Sequence, residues 1–591
     1  MFHVSRFRSR SAWIAAGLAC GLILAGLNYP SIARADATMY RGGSGLTGSY
    51  NEKSTLPLSL SWRYTSTFNP YNPSSPAIFK NTVFFSSGNR VFALDTDSGI
   101  VRWKYPDDQP MTSSIHTSPA TDGKLVFIGA DNGKLYALNA ETGKETWAFD
   151  THSSIGSSPI ISDGVVYFGS ENGNLWAVDS KTGDVAPGWK TPFKAADEIM
   201  ASPAIAGGTI YALSLDQVLH AIGTATPRER WSMRFTSSVL HINPIAMGDN
   251  VYIASGSNLF SFYGKSGAKK WNLILPGEME VSPTVSEEAI YAVTNDSTIY
   301  SFDIRTAKGR WKTWPKLPYD VICAPSISGN TLYVTTVMGM IYGIDTDTGA
   351  IKWSYSVQPT TNNVDSVPQR TTVAASPVID STGVYVLADD GSLSAFQSNA
   401  LDTEPPVISD FEPAMGDVIN GAPPIHFEVH ILDDGSGVNP DSIRMSIDND
   451  EIPKKPTGDK SEDVAGYKYD PLSTQLTYDT IAPTGASTVR PLPDGRHSIK
   501  VVAADWRGNV ATQVWNFVID NTVSKIRPNK PIINPNQPGR PGSGPGAYPG
   551  GPGRGGNNPG GGRGGRGGRG GRRGGQGGGA GGMYGGGARN D

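Results

Sequence analysis

Cysteine is almost absent: the 591 residues hold two, Cys20 and Cys323. Cys20 lies in an N-terminal apolar run, so cleavage beyond it leaves a single thiol and no possible internal disulfide. A body of this length buries enough core to need none. Cys323 stands one place before Ala324-Pro325 and is expected as a small buried residue at a strand start. No dense carboxylate loop of the Asp-x-Asp-x-Asp-Gly type occurs, which removes the usual sequence signature of a Ca²⁺ cage. No motif brings histidine to carboxylates either: His116, His152, His220 and His241 stand isolated along the chain. The apolar run Trp13 to Leu27 is short for a membrane span. Gly17-Leu18-Ala19 before Cys20 lacks the Leu-led lipoprotein box, and the adjacent arginine pair of twin-arginine export is missing. What remains is an ordinary export signal: Arg6, Arg8 and Arg10, the apolar run, and Ala33-Arg34-Ala35 as cleavage site.

What is abundant is tryptophan at fixed intervals. Trp62, Trp103, Trp147, Trp189, Trp231, Trp271, Trp311 and Trp353 follow one another at steps of 40 to 44 residues. Pro76, Pro119, Pro159, Pro203, Pro244, Pro283, Pro325 and Pro377 run in phase with them, six of the eight directly after Ser, with Asn243 and Ala324 as the exceptions. A period near 42 is that of a four-stranded propeller blade. In the clearest copy, Ser118-Pro119 opens a short strand and Asp122-Gly123 turns it into Leu125-Val126-Phe127-Ile128. Asn132-Gly133 leads to Leu135-Tyr136-Ala137-Leu138, and Asn139 to Gly143 leads to the strand of Trp147. Pro227 and Ala307 replace the turn glycine in two copies, yet their tryptophans remain. One large ring per copy reads as packing between blades, because a flat cofactor needs one such ring and not eight. Trp62 precedes every Ser-Pro marker, and the last copy, ending at Leu393 to Phe396, lacks its own tryptophan. The N-terminal strand is therefore expected to complete the eighth blade and remove the open edges.

Runs such as Leu135 to Trp147 resemble the tryptophan-docking repeat of the pyrroloquinoline-quinone-like propellers. That superfamily holds quinoprotein dehydrogenases and also non-enzymatic envelope propellers of the BamB kind, so the resemblance implies the fold and not one activity. Its dehydrogenases carry a vicinal cysteine pair, long insertions between repeats, and acidic and amide Ca²⁺ ligands beside a catalytic aspartate. This chain has no adjacent cysteines, and its repeats are close to minimal length.

Past Glu404-Pro405-Pro406, read as a short rigid linker, the 42-residue marker stops. Alternating stretches at Ile425 to Ile431, Ser498 to Ala503 and Trp515 to Ile519 suit one immunoglobulin-like sandwich. Asp433 to Val438, and Asp494 to His497 leading to Ala504 to Asn509, resemble segments of bacterial surface immunoglobulin-like modules. Asp433, Asp434, Asp505 and Asn509 offer oxygens, but Asp and Asn shape turns equally well, and no metal site is assigned. The end of the chain is Pro- and Gly-rich with Arg-Gly-Gly units at Arg563, Arg566 and Arg569, a composition that does not bury a core. Residues 523–591 hold 11 basic residues and one acid, while residues 36–522 hold 35 against 53. Formal near-neutrality thus conceals an acidic body and a basic tail.

The expected organisation is all-β: a signal peptide (1–35), a lead-in (36–56), an eight-bladed propeller (57–400), an immunoglobulin-like domain (401–522) and a disordered tail (523–591). The expected function is an exported, non-enzymatic binding scaffold of the bacterial periplasm or cell surface, with the immunoglobulin-like domain as spacer. No catalytic, cofactor-binding or metal residue is assigned, and no cofactor. Partners are envelope proteins met through propeller loops and an anionic envelope polymer or lipid met through the tail; nucleic acid is not expected for an exported chain. A periplasmic quinone-dependent dehydrogenase is the alternative, and a channel hydrolase or lyase the third class. The insertion Val357 to Thr372 before the last Ser-Pro marker is a candidate binding loop.

Overall fold

The computed structural model describes residues 37–51, 53–66, 74–239, 242–357, 372–456, 466–480 and 492–524. The expected signal peptide, His241, most of the Val357–Thr372 insertion and the tail beyond residue 524 lie outside them.

The copy read from Ser118 to Trp147 forms one small antiparallel sheet of Ala120–Thr121, Leu125–Gly129, Lys134–Asn139 and Glu145–Asp150, paired in chain order. Its two middle strands are buried on both faces: Val126, Phe127, Leu135, Ala137 and Leu138 are fully shielded. Their unbroken apolar runs follow from that double burial. The turn before the fourth strand is held by Asn139, whose Oδ1 accepts the N–H groups of Glu141 and Thr142 and the Thr142 hydroxyl. Asp95, Asp303 and Asp345 hold the matching turns of other copies in the same way.

Residues 49–397 build eight such sheets among the described residues, arranged as a β-propeller. The sheet starting at Thr284–Val285 has three regular strands, and the last is completed by Ser59–Thr65. That early strand pairs antiparallel with Ser392–Gln397, placing Trp62 opposite Ala395. The two ends of the ring are thereby sewn together.

Six of the eight repeat tryptophans reach out of their own sheet in one way. The indole Nε1–H donates to a backbone carbonyl of the next sheet: Trp62 to Thr96, Trp103 to Ala140, Trp189 to Thr224, Trp231 to Gly264 and Trp311 to Thr346, at 2.8–2.9 Å, and Trp147 to Ser180 at 3.3 Å. The same ring lies on the turn glycine. A Cβ on Gly99, Gly143, Gly183, Gly267 or Gly349 would stand 2.6–2.9 Å from the indole of the preceding sheet. All five also have positive φ. Glycine is required there twice over, by backbone conformation and by the approach of the ring. Where Ala307 replaces it, at φ +57, the tryptophan that precedes it, Trp271, has a buried Nε1 with no partner among the described residues.

The lead-in runs under the ring and touches its innermost strands in order. The carbonyls of Ala37, Thr38, Ser44, Gly45, Thr47 and Gly48 accept the N–H groups of Ile78, Thr121, Ile205, Ala246, Val285 and Ile327. Ile161 N–H meets the Met39 sulfur at 3.2 Å. Each of these seven N–H groups belongs to the second residue after a marker proline. Nothing in the repeat pattern signals this role, because the lead-in is itself non-repetitive.

Residues 407–519 form two further sheets. One orders Val407–Glu412, His426–Leu432, Gln475–Asp479 and Lys468–Asp470; the other orders Val418–Ile419, Val510–Ile519, Gly495–Ala504, Arg444–Ile447 and Asp450–Ile452. Phe427, Val429, Ile431, Ile499, Val501, Trp515 and Phe517 fill the core between them. The expected spacer is corrected here, because this part is docked onto the ring. Trp353, lacking a docking turn in the last sheet, donates instead to Ser436 O at 3.1 Å. Trp506 Nε1 donates back to Ser354 O at 3.0 Å, and Leu60 N–H to Gly435 O at 2.9 Å. Arg507 donates to Ser59 Oγ and to the carbonyls of Ser398 and Ala400.

Gly143→Ala and Gly164→Ala separate the two demands on a turn glycine. Gly164 has φ +77 with nothing within 4 Å of a Cβ, so its substitution should cost about 1–2 kcal/mol from backbone alone. Gly143→Ala adds collision with Trp103 and should cost roughly 1–3 kcal/mol more in urea unfolding. Equal losses would mean that the indole contact is easily relieved.

Candidate functional site

The ring leaves a channel, and the residue before each marker proline lines it. These residues form a belt of hydrogen bonds from sheet to sheet. Ser75 N–H donates to Ser118 Oγ, Ser118 N–H to Ser158 Oγ, Ser158 N–H to Ser202 Oγ, Ser202 N–H to Asn243 Oδ1, and Asn243 N–H to Ser282 Oγ, at 2.7–3.1 Å. The Ser-Pro spacing therefore marks an element of the channel wall as well as a strand start. Asn243 does the work of serine with its amide oxygen. Ala324 has no acceptor, and there the belt is interrupted.

A cavity of about 450 Å³ lies along this belt. Its floor is set by the lead-in, with Tyr40 in the lining. Burial raises the Tyr40 phenol above its ordinary range, so it stays protonated. Cys323 also lines the cavity; its sulfur lies 2.9 Å from Thr335 Oγ1 and donates to Ala375 O at 3.3 Å. Burial pushes this thiol up to about 11, which leaves it un-ionised and a poor nucleophile. It is buried as expected, but in a wall and not simply in a core.

The upper lining is acidic: Asp131, Glu171 and Glu280 face it together with His116. His116 Nε2 lies 3.2 Å from Asp131 Oδ2, and that hydrogen bond raises the imidazole above its ordinary value against the opposing effect of burial. Ser154 Oγ donates to Glu171 at 2.8 Å. The histidines that look isolated in sequence are thus paired in space. His116 meets Asp131, His152 meets Asp150 at 3.2 Å, and His220 lies 2.7 Å from Glu229. His152 is nearly fully exposed and His220 lies within a sheet, so these two make no common site.

A second group forms at the joint between ring and sandwich. Carboxylate oxygens of Asp402, Asp433 and Asp505 lie within 4.8 Å of one another. Asp433 Oδ1 accepts the N–H groups of Gly435 and Gly437, Asp505 Oδ1 those of Gly508 and Asn509, and Asp402 Oδ2 that of Ser436 at 2.6 Å. These bonds shape the loops, as the sequence suggested for Asp433 and Asp505, and no metal site is assigned. Asp434 instead offers its carbonyl to Tyr355. Asp402 was not legible in sequence, because it lies in the linker and joins the others only through docking.

A family model described as outer membrane protein assembly factor BamB matches residues 87–189, 186–272 and 239–415, a span of more than half of the chain. The chain belongs to that family. Among curated relatives, the quinoprotein alcohol dehydrogenase PedH of Pseudomonas putida is 40% identical over 78 residues, 12% of this chain and 13% of its own length. A quinoprotein ethanol dehydrogenase of Pseudomonas putida is 40% identical over 113 residues, 17% of this chain and 18% of its own. This member of the BamB family therefore spans less than a fifth of the length of either dehydrogenase. Among solved structures, BamB from Moraxella catarrhalis is 17% identical with a TM-score of 0.45, covering 59% of this chain and 99% of that one. The quinohemoprotein alcohol dehydrogenase from Comamonas testosteroni is 14% identical with a TM-score of 0.49, covering 66% and 83%.

The wider superfamily implies pyrroloquinoline quinone, a flat tricarboxylate that needs cations and an aromatic face. The channel lining contains no Lys, Arg or Trp among the described residues and presents three carboxylates. Among the described residues, the one group of three acidic, His or Cys side chains close enough to hold an ion is the joint triad, outside the channel lining. The described lining does not fit the quinone.

Asp433 carries a pH dependence. Burial, then the charges of Asp402 and Asp505, push its carboxyl up to about 6 against the pull of its backbone hydrogen bonds. The folded state binds this proton more tightly than the unfolded one, so stability falls as pH rises from about 4 to about 6. Asp433→Asn keeps an oxygen for the two N–H groups and removes the repulsion. It should stabilise the protein by about 1 kcal/mol at pH 8, allowing for partial exposure, and leave pH 4 nearly unchanged. Thermal melts across pH measure this, and a variant weaker at pH 8 would show the carboxylate to be favourable there.

Proposed function

We propose that this protein is an exported, non-enzymatic binding scaffold of the bacterial envelope. In this reading the ring is an eight-bladed propeller over residues 57–400, followed by an immunoglobulin-like domain over 401–522. Export rests on the basic start, short apolar run and Ala33-Arg34-Ala35 of the first 35 residues. The observation that carries the absence of quinone chemistry is the channel rim, whose described carboxylates repel a tricarboxylate with no Lys or Arg in the described lining to offset them. The second domain supports a scaffold role, since its loop takes the indole of Trp353 and docks onto the ring. Rim loops on the ring present envelope proteins with a fixed surface. The short 40% identical stretches shared with quinoprotein dehydrogenases favour the alternative activity and make it the one to test.

Reconstitution of the full chain with pyrroloquinoline quinone and Ca²⁺ should give neither bound-quinone absorbance nor dye-linked oxidation of alcohols. Turnover above the protein-free control would replace the scaffold with a dehydrogenase.

The basic tail serves this role by holding the acidic body to an anionic envelope polymer through charge density. Replacing Arg563, Arg566, Arg569, Arg572 and Arg573 with Gln should release the protein from isolated envelopes at low salt. The parent should be released by raising salt. Equal co-sedimentation of both at all salt concentrations would reduce the tail to a spacer.

A further inference from the structure

Three features are stacked along the channel. Lowest is Arg41, which the lead-in carries into the interior at φ +55 and 0% exposure. Its Nη2 donates to Pro283 O at 2.6 Å and Thr284 Oγ1 at 3.1 Å, whereas Nε and Nη1 have no hydrogen-bond partner among the described residues. No described carboxylate forms an ion pair with it. An unpaired buried guanidinium is costly and makes its surroundings favourable to a negative charge. Tyr40, its neighbour in the chain, and Cys323, which feels its charge, both line the cavity above.

Next comes the serine belt. The hydroxyl oxygens of Ser118, Ser158, Ser202 and Ser282 each accept a backbone N–H, and none of the four donates to a described partner. Each keeps a proton to give. All four line the cavity, which makes the lower channel a ring of donors over a buried cation.

Highest is the acidic rim. Glu280 stands three residues before its marker proline, two residues above the belt, with Asp131 and Glu171 at the same mouth. Glu198 is raised above the ordinary carboxylate range by burial and by the charges of Glu171 and Asp197. The channel therefore favours an anion below and a cation above.

We propose that the channel binds a small zwitterion of the dipeptide class, its carboxylate in the serine belt and its ammonium at Glu171 and Glu280. The cavity of about 450 Å³ accommodates such a molecule with accompanying water. A simple anion meets the rim carboxylates unfavourably, and a simple amine leaves the belt donors and Arg41 unanswered. This site is independent of whatever the outer loops bind, so its failure leaves the scaffold reading standing.

The test is calorimetric titration of the full chain with diglycine, 6-aminohexanoate, hexanoate and hexylamine. Both zwitterions should bind saturably, and both single-charge probes about tenfold or more weaker. Glu171→Gln with Glu280→Gln should weaken the zwitterions about tenfold and abolish their advantage over hexanoate. Ser158→Ala, a loss that the belt already tolerates at Ala324, should weaken zwitterions and hexanoate together while sparing hexylamine. Saturation by neither zwitterion, equal binding of hexanoate, or affinities indifferent to both variants would each overturn the proposal.

Discussion

The bond from indole N–H to a carbonyl of the next sheet, made by six of the eight repeat tryptophans, is the constraint on which this structure depends. A small twisted sheet buries both faces only if its neighbours hold a fixed distance and angle. One rigid two-ring side chain per sheet sets both, through a directional hydrogen bond and a flat contact on glycine. Because the contact is repeated, the ring distributes its stability among many equivalent joints. The joint at Trp271 is the weak one: Ala307 stands where glycine belongs, the indole nitrogen goes unpaired, and the adjoining sheet keeps three regular strands.

Trp353 shows how the same constraint recruits new structure. The last sheet offers no docking turn, and a loop of the sandwich fills the place, with Gly437 at φ +86 close to Ser354 O and Tyr355. The sandwich is thereby tied to the ring by the device that ties sheets to one another. Its acidic loops then come together at Asp402, Asp433 and Asp505, and the like charges make the joint sensitive to protonation.

The channel owes its character to geometry repeated at the marker prolines. Residues one before each proline line the belt, and residues two after it hold the lead-in. The lead-in closes the lower mouth with backbone carbonyls, so its contacts require little of its side chains, and it is free to carry Tyr40 and Arg41 inward. A donor-rich floor below an acidic rim follows from those placements.

Much of this was legible in sequence. The tryptophan period gave the sheets, and the displaced Trp62 gave the closure against Ser392–Gln397, because local strand and turn signals lie within one repeat. The burial of Cys323 was legible for the same reason. Non-local partners were not. His116 and Asp131 sit in different loops, the belt acceptor of each serine lies about forty residues away, and the threading of residues 37–50 has no periodic signal. Glu404-Pro405-Pro406 suggested a separator, since composition reports chain stiffness and not what the following loop will touch. Sequence alone determined the repeating sheet, its turns and its ring closure, because those are set by hydrophobic alternation and glycine within some forty residues. Only the tertiary structure decided what lines the channel and how the sandwich docks, because both depend on side chains that meet across the ring.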